Sequence, residues 1–277
     1  YELPVASAQV KSCVLLAGLF AAGETRVVEP VPSRDHTERM LAAAGVDIAV
    51  ECTEEAAGAR RITVRGPAQP RLREVAVPGD LSSAAFLAAA AVVVPGSRLV
   101  IDGVGLNPTR LGFFAVLRRM GAPVEWHAQG ESSGEPAGRL TASAAGRLTA
   151  ATVAAAEVPL LVDELPLVAL VAAFAEGETV VEGAAELRVK ESDRLAATVE
   201  LLAGLGVDIA GTGDGFVVRG GAGLRGGLVE SRGDHRLALL GAVAGLAAEA
   251  PVTVAGFEAA AVSFPGFRDL LGEVTAT

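Results

Sequence analysis

The stretch "DELPLVALVAAFAEGETVV", Asp163 to Val181, decides the fold because the chain writes the same plan four times. It opens on acidic residues, runs through small and branched apolar residues that suit a buried helix, turns at Gly177 and ends in a β-branched strand. "SAQVKSCVLLAGLFAAGETRVV" (Ser7 to Val28), "SSAAFLAAAAVVVPGSRLVI" (Ser82 to Ile101) and "DHRLALLGAVAGLAAEAPVTV" (Asp234 to Val254) repeat that order. The openings at Ser7, Ser83, Asp163 and Asp234 lie 76, 80 and 71 residues apart, which is the signature of one duplicated unit.

A second helix follows each opening. Its sequences are "SRDHTERMLAAAGVDIAV", "NPTRLGFFAVLRRMGAPVEW", "KESDRLAATVELLAGLGVDIA" and "FPGFRDLLGEV". The first three run into Gly45, Gly121 and Gly206, placed as helix C-caps, and then into alternating strands. Each full unit therefore reads as helix, strand, helix, strand and further strand, a repetitive α/β architecture. It is not a dinucleotide-binding one, because no G-x-G-x-x-G follows a first strand. "GTGDG", Gly211 to Gly215, lies between strand-like segments and reads as a hairpin turn.

Composition narrows the function. Half of the 277 residues are hydrophobic, which excludes extended disorder, and a net charge of −10 without any basic run argues against a nucleic-acid partner. The two cysteines, Cys13 and Cys52, are too few for a disulfide framework and lack metal-site spacing, so both are expected as reduced thiols. The apolar run Leu81 to Val94 is shorter than a membrane span and follows a polar opening, so a buried helix is expected. Nothing resembles a signal peptide, and "YELPV" at Tyr1 reads as the middle of a fold, so a processed, truncated or partial product is expected.

Helix starts present unpaired N–H groups and the positive end of the dipole, so several facing one cleft make an anion site in an acidic protein. Ser7 and Gln9 add hydroxyl and amide donors, and Arg34 a bidentate guanidinium suited to phosphate. The plainer alternative keeps Ser7 and Ser82 or Ser83 as N-caps and Arg34 as half of a surface pair with Asp35 or Glu38. Only two lysines occur beside 21 arginines, and one of them, Lys190, lies in "RVKESDRL". There Lys190 and Arg194, four apart, are expected to share a helix face beside Glu191, which is also how an ordinary i,i+4 network looks. Titratable residues recur at equivalent ends elsewhere, in Asp163-Glu164 and Asp234-His235-Arg236, which favours a site.

"LPVASAQVKS", "SRDHTERM", "VPGDLSSAAF", "NPTR", "DELP", "LRVKESDRL" and "DHRLA" together resemble the enolpyruvyl transferase family, in its order and at similar separations, over nearly all of the chain. "RVKESDRL" with "SRDHTERM" looks like the shikimate-pathway member rather than the sister acting on UDP-N-acetylglucosamine. The resemblance implies two domains built from six related units, an inside-out α/β barrel fold with substrate between the domains, of which this chain carries about four units. It implies that residues 1–72 are the last unit of the first-substrate (shikimate phosphate) domain. Residues 73–277 then form the second domain, lacking its N-terminal contribution, with the crossover near Arg71 to Asp80.

The activity implied is transfer of the enolpyruvyl group from phosphoenolpyruvate to the 5-hydroxyl of shikimate 3-phosphate, by addition and elimination, with no metal or organic cofactor. A cytoplasmic, monomeric intact enzyme with no membrane or nucleic-acid partner is implied as well. Residue by residue, Asp163 matches the aspartate that binds the shikimate hydroxyls and accepts a proton, Lys190 a substrate-contacting lysine, and Glu191 the proton-transfer glutamate. Arg194 and Arg236 match arginines that grip phosphoenolpyruvate, with His235 in support. Ser7 binds the 3-phosphate in the resemblance, Gln9 contacts both substrates, and Arg34 meets the same phosphate.

Two positions depart from the pattern. Ala8 stands where many members have a second phosphate-binding serine, and Val262 where many have a lysine two residues before Phe-Pro. No counterpart of the family's N-terminal Lys-Ser segment or Gly-Asn-x-Gly-Thr motif is present, so the isolated chain is not expected to turn over substrate. A non-catalytic scaffold or partner-binding fragment of the same lineage is the alternative function.

Overall fold

In a computed structural model that describes residues 1–53, 58–72 and 74–275, the repeated plan takes the same physical form three times. The first segment runs α1 (Ala8–Gly18), β1 (Gly23–Glu29), α2 (His36–Ala43), β2 (Ile48–Cys52) and β3 (Arg60–Gly66). The second runs α3 (Leu81–Val93), β4 (Arg98–Gly105), α4 (Gly112–Arg119), β5 (Val124–Ser132) and β6 (Glu135–Ser143). Two short strands follow, β7 (Leu148–Thr149) and β8 (Thr152–Val153). The third segment is then α5 (Leu165–Ala172), β9 (Ala175–Glu176), β10 (Glu178–Val181), α6 (Arg194–Gly204), β11 (Asp208–Gly211) and β12 (Phe216–Arg219). After β13 (Gly227–Glu230), the last segment carries α7 (His235–Ala247), β14 (Val252–Ala255) and α8 (Phe267–Thr275).

Sheet order repeats with the elements. The sheets run β1-β3-β2, β4-β6-β5 and β11-β12-β10-β8, so in each the last strand of the segment occupies the middle of its three. β1 and β2 both pair antiparallel with β3, and β10 and β11 both pair antiparallel with β12. "GTGDG" closes the β11–β12 hairpin, with Gly211 opposite Phe216, as its position between strands suggests. Gly45, Gly121 and Gly206 end their helices in the left-handed region, at φ of 76°, 88° and 90°, a conformation that costs a residue without Cβ nothing.

The chain divides into two compact units that do not follow chain order. One is Tyr1–Gly79 with Asp102–Gly112 and Trp126–Arg139; the other is Asp80–Ile101, Phe113–Glu125 and Leu140–Thr277. Position 73, where the boundary between repeat blocks is expected, lies outside the described residues. In the first unit, Leu3, Leu15, Leu19, Val27, Leu41, Val46, Ile62 and Val64 form the core between α1, α2 and the β1-β3-β2 sheet. β3 reaches α1 closely at its end, where a Cβ on Gly66 would lie 2.3 Å from the Gly18 carbonyl oxygen.

In the second unit, α3, α5 and α7 pack against one another. Every residue of α5 is buried, as are most of α3, and the alanines and glycines along them let helices approach without gaps. Leu81 to Val93 is thus a buried helix, as its length predicts. No helix among the described residues is long and apolar enough to cross a membrane. Cys13 and Cys52 are free and exposed.

Candidate functional site

The helix openings do not all work as the sequence suggests. Ser7 does cap α1, its Oγ accepting from the Val10 N–H at 3.3 Å. α3 is capped by Asp80 instead of Ser82 or Ser83: the Asp80 carboxylate accepts from the Ser83 N–H at 2.8 Å and from its hydroxyl at 2.9 Å. An ionised carboxylate competes better for a helix N-terminus than a hydroxyl does. That leaves Ser82 to donate to the buried Glu164. Asp163 precedes α5 in a 3-10 turn, Val162–Glu164, so its carboxylate is not spent on a cap. Asp234 caps α7, accepting from the Arg236 N–H at 2.9 Å.

"RVKESDRL" also folds differently from a single helical face. Lys190 lies just beyond a 3-10 turn, Ala185–Val189, whereas α6 starts at Arg194 behind its cap Asp193. The i,i+4 geometry between Lys190 and Arg194 is therefore broken by the loop at Glu191 to Asp193. Each cation has a carboxylate of its own, and both reach Asp163. Lys190 Nζ meets Glu186 at 2.5 Å and Asp163 Oδ1 at 3.6 Å, and Arg194 contacts Glu191.

Arg194 is the centre of the second unit's polar cluster. It is fully buried, and its Nε and Nη2 grip Asp234 as a fork, at 2.9 and 3.2 Å. Its Nη1 donates to Asp163 Oδ1 at 3.3 Å. Arg236 approaches the same aspartate from α7, with Nη2 3.7 Å from Asp163 Oδ2 and Nη1 3.6 Å from Glu164. Asp163 thus faces three cations, Lys190 and Arg194 from its own segment and Arg236 from the last. Glu191 is the exposed member, its side chain about half accessible while it holds Arg194.

Burial pushes the Asp234 carboxyl up, but the Arg194 hydrogen bonds and charge, the Arg236 N–H and the Ser192 hydroxyl outweigh it, and the group sits below the usual aspartate range. His235 is pushed down by burial first and by the neighbouring Arg236 second, which favours the neutral imidazole. Among the described residues no three His, Cys, Asp or Glu side chains are arranged to hold a metal ion; the carboxylates converge on guanidinium instead.

Ser7, Gln9 and Arg34 belong to the first unit. Ser7 and Gln9 lie at the first turn of α1, with Gln9 exposed, and Arg34 lies half-buried in the loop between β1 and α2. Asp35 and Glu38, the carboxylates considered for Arg34, are engaged by other donors as well. Asp35 receives Arg39 Nε at 2.9 Å and Asn107 Nδ2 at 2.8 Å, and Glu38 receives the buried Lys11 at 2.7 Å. Burial acts to raise the Asp35 carboxyl, yet Arg39 and Asn107 hold it below its ordinary value. Among residues sequence reading did not assign, Asp234 is the most engaged. Its signal was present, an acid beside two assigned residues in "DHRLA".

Residues 1–271 match the family described as EPSP synthase (3-phosphoshikimate 1-carboxyvinyltransferase). The 3-phosphoshikimate 1-carboxyvinyltransferase of Thermotoga sp. (strain RQ2) is 49% identical over 274 residues, covering 99% of this chain and 63% of that protein. The protein of the same name from Desulforudis audaxviator is 50% identical over 277 residues, covering 99% of this chain and 62% of its own length. A solved EPSP synthase from Acinetobacter baumannii superposes with a TM-score of 0.88 at 41% identity, over 99% of this chain and 62% of that one. The enolpyruvyl transferase NikO from Streptomyces tendae shares the fold, at a TM-score of 0.72 and 24% identity, over 95% of this chain and 57% of that one. The chain spans about three fifths of the length of these relatives.

Proposed function

The chain belongs to the EPSP synthase (3-phosphoshikimate 1-carboxyvinyltransferase) family, and on that premise we propose that the protein carrying it transfers the enolpyruvyl group of phosphoenolpyruvate to the 5-hydroxyl of shikimate 3-phosphate. The observation that supports this most is the approach of Lys190, Arg194 and Arg236 to one aspartate, Asp163. Two oxyanionic substrates need cations, and transfer from a hydroxyl to an enol carbon needs one group to take a proton and another to give one. A cation-flanked carboxylate with a second, exposed carboxylate on the same arginine offers both.

In this reading Asp163 takes the proton of the 5-hydroxyl as its oxygen bonds to C2 of phosphoenolpyruvate, and Glu191 gives a proton to C3. The resulting tetrahedral adduct then loses a proton from C3 and expels phosphate, which restores the double bond. Lys190 stabilises the charge at the attacking oxygen. Arg194 and Arg236 hold the carboxylate and phosphate of phosphoenolpyruvate, and the neutral His235 orients Arg236. Ser7, Gln9 and Arg34 take shikimate 3-phosphate, chiefly its phosphate. Glu191 contacts Arg194, and in this reading the carboxylate of phosphoenolpyruvate takes over that contact.

Residues 1–72 would be the last repeat of the shikimate-phosphate domain, and 73–277 most of the second domain, in a cytoplasmic, monomeric enzyme of aromatic amino acid biosynthesis. The test is turnover by the full-length protein with both substrates. Asp163→Asn and Glu191→Gln should each lower kcat by roughly 100- to 10,000-fold, the usual share of general acid–base catalysis, with thermal unfolding little altered. Normal turnover in both folded variants would remove Asp163 and Glu191 from the chemistry, whereas no turnover by the full-length parent would leave the scaffold reading.

A further inference from the structure

Lys11 is the chain's other lysine, and it is fully buried. It lies one turn into α1, where its N–H donates to the Ser7 carbonyl at 3.0 Å. Its Nζ reaches two carboxylates, Glu29 at 3.0 Å and Glu38 at 2.7 Å. Glu29 ends β1 and Glu38 lies in α2, so the two glutamates bracket the loop that carries Arg34. Glu29 Oε2 also accepts from the Ser33 hydroxyl at 2.8 Å and the Ser33 N–H at 3.3 Å, which fixes the residue immediately before Arg34. A second tie, Ser12 Oγ to Thr37 Oγ1 at 2.6 Å, joins the same two helices.

This cluster is a poor device for stability alone. One cation faces two buried carboxylates, and Glu29 Oε1 and Glu38 Oε2 find no hydrogen-bond partner among the described residues. Buried ion pairs are often matched or bettered by apolar residues of similar volume, and an unsatisfied buried oxygen adds a cost. What the cluster does supply is registry, because it joins the two segments that carry Ser7, Gln9 and Arg34.

We propose that Lys11, with Glu29, Glu38 and Ser33, is a positioning set that fixes Arg34 against the start of α1 so that the first unit can grip a phosphate monoester. The inference rests on the assignment of Ser7, Gln9 and Arg34 to shikimate 3-phosphate. None of the four residues touches that substrate; they act through Arg34 and the α1 start. Removing the cation frees the loop, so affinity for the phosphate falls while the chemistry of the second unit is unaffected.

Steady-state kinetics of the full-length enzyme test this with Arg34→Ala, Lys11→Met and Ser33→Ala. Lys11→Met should raise KM for shikimate 3-phosphate about tenfold or more, the worth of a misplaced charge-assisted hydrogen bond, with kcat and the phosphoenolpyruvate KM within about twofold. A merely structural lysine would instead lower the active fraction and leave both KM values alone. Ser33→Ala leaves the ion cluster intact and keeps the test alive if Lys11→Met does not fold. It should raise the same KM several-fold, and have no further effect in the Arg34→Ala background. An equal effect of Ser33→Ala in both backgrounds, or an unchanged KM in folded Lys11→Met, overturns the proposal. Arg34→Ala separates the two levels: if it leaves the shikimate 3-phosphate KM unchanged, the ligand assignment fails, and if it alone raises that KM, only the positioning set fails.

Discussion

Arg194 has no accessible surface and three carboxylate neighbours, Asp163, Glu191 and Asp234, so its removal strands buried charge rather than merely deleting a contact. Breaking a buried pair from one side commonly costs about 3–5 kcal/mol, and Arg194→Met should lose that order of stability in urea unfolding. The loss should depend on pH in a definite direction. Asp234 is held below its ordinary range, so its contribution is complete above the unfolded value and disappears as pH falls through the native one. In Arg194→Met that acid limb should flatten, and a limb identical to the parent's would mean that Arg194 does not hold Asp234 ionised. Glu38 works the other way, because burial, with the charge of Glu29 adding to it, raises its carboxyl despite Lys11. Its native form keeps a proton that the unfolded chain releases, so stability declines as pH rises from the ordinary glutamate value through the raised one. Unfolding of Glu38→Gln beside the parent at about pH 4 and about pH 7 should show the difference moving in favour of the variant at the higher pH. At this scale the sequence revealed which residues are charged and unusual, since two lysines stand out among 21 arginines. It did not reveal their partners: Asp234 and Asp163 reach Arg194 from 40 and 31 residues away, and no local spacing encodes that.

Helices and strands were the more legible level, because small-residue apolar runs and glycine stops act through local backbone physics. The exception was where a helix begins. Asp80 takes the α3 cap that Ser82 or Ser83 could have taken, and the loop before Arg194 separates Lys190 from α6. Both outcomes turn on competition among adjacent polar groups, which spacing alone does not rank. Glycines within helices give a direct test of how the elements pack. A Cβ on Gly241 of α7 would meet Val229 Cγ1 at 2.8 Å and Val254 Cγ2 at 2.9 Å, on the β13 and β14 strands under the helix. Gly241→Ala should therefore cost about 1–3 kcal/mol by overpacking. A Cβ on Gly204, at the end of α6, meets nothing within 4 Å among the described residues, so Gly204→Ala should be neutral or stabilising by up to about 1 kcal/mol. Chemical denaturation of both variants checks the contrast, and equal effects would mean that α7 does not rest on those strands as described.

For the molecule as a whole, the order of elements was written in the sequence and the grouping of elements was not. Segments 102–112 and 126–139 belong to the second repeat in sequence yet cluster with the first unit, through contacts such as Asn107 to Asp35 at 2.8 Å. Repeat periodicity fixes which elements exist, whereas long-range polar contacts decide which unit holds them. Arg194 and Arg236, assigned to phosphoenolpyruvate, fall in one unit together with Asp163 and Lys190, and Ser7, Gln9 and Arg34, assigned chiefly to the phosphate of shikimate 3-phosphate, fall in the other. Variants of the two sets should accordingly separate in kinetics: Arg194→Ala should weaken phosphoenolpyruvate binding more than shikimate 3-phosphate binding, and Arg34→Ala the reverse, as calorimetry with each ligand would read. The claim on which the rest depends is that Asp163 accepts a proton within its ring of cations, and Asp163→Asn isolates it by keeping shape and hydrogen-bonding capacity while removing the base. Turnover of the full-length enzyme at saturating phosphoenolpyruvate and shikimate 3-phosphate, with thermal unfolding measured on the same preparation, should fall by roughly 100-fold or more in a folded variant. Turnover within a few-fold of the parent would contradict the account.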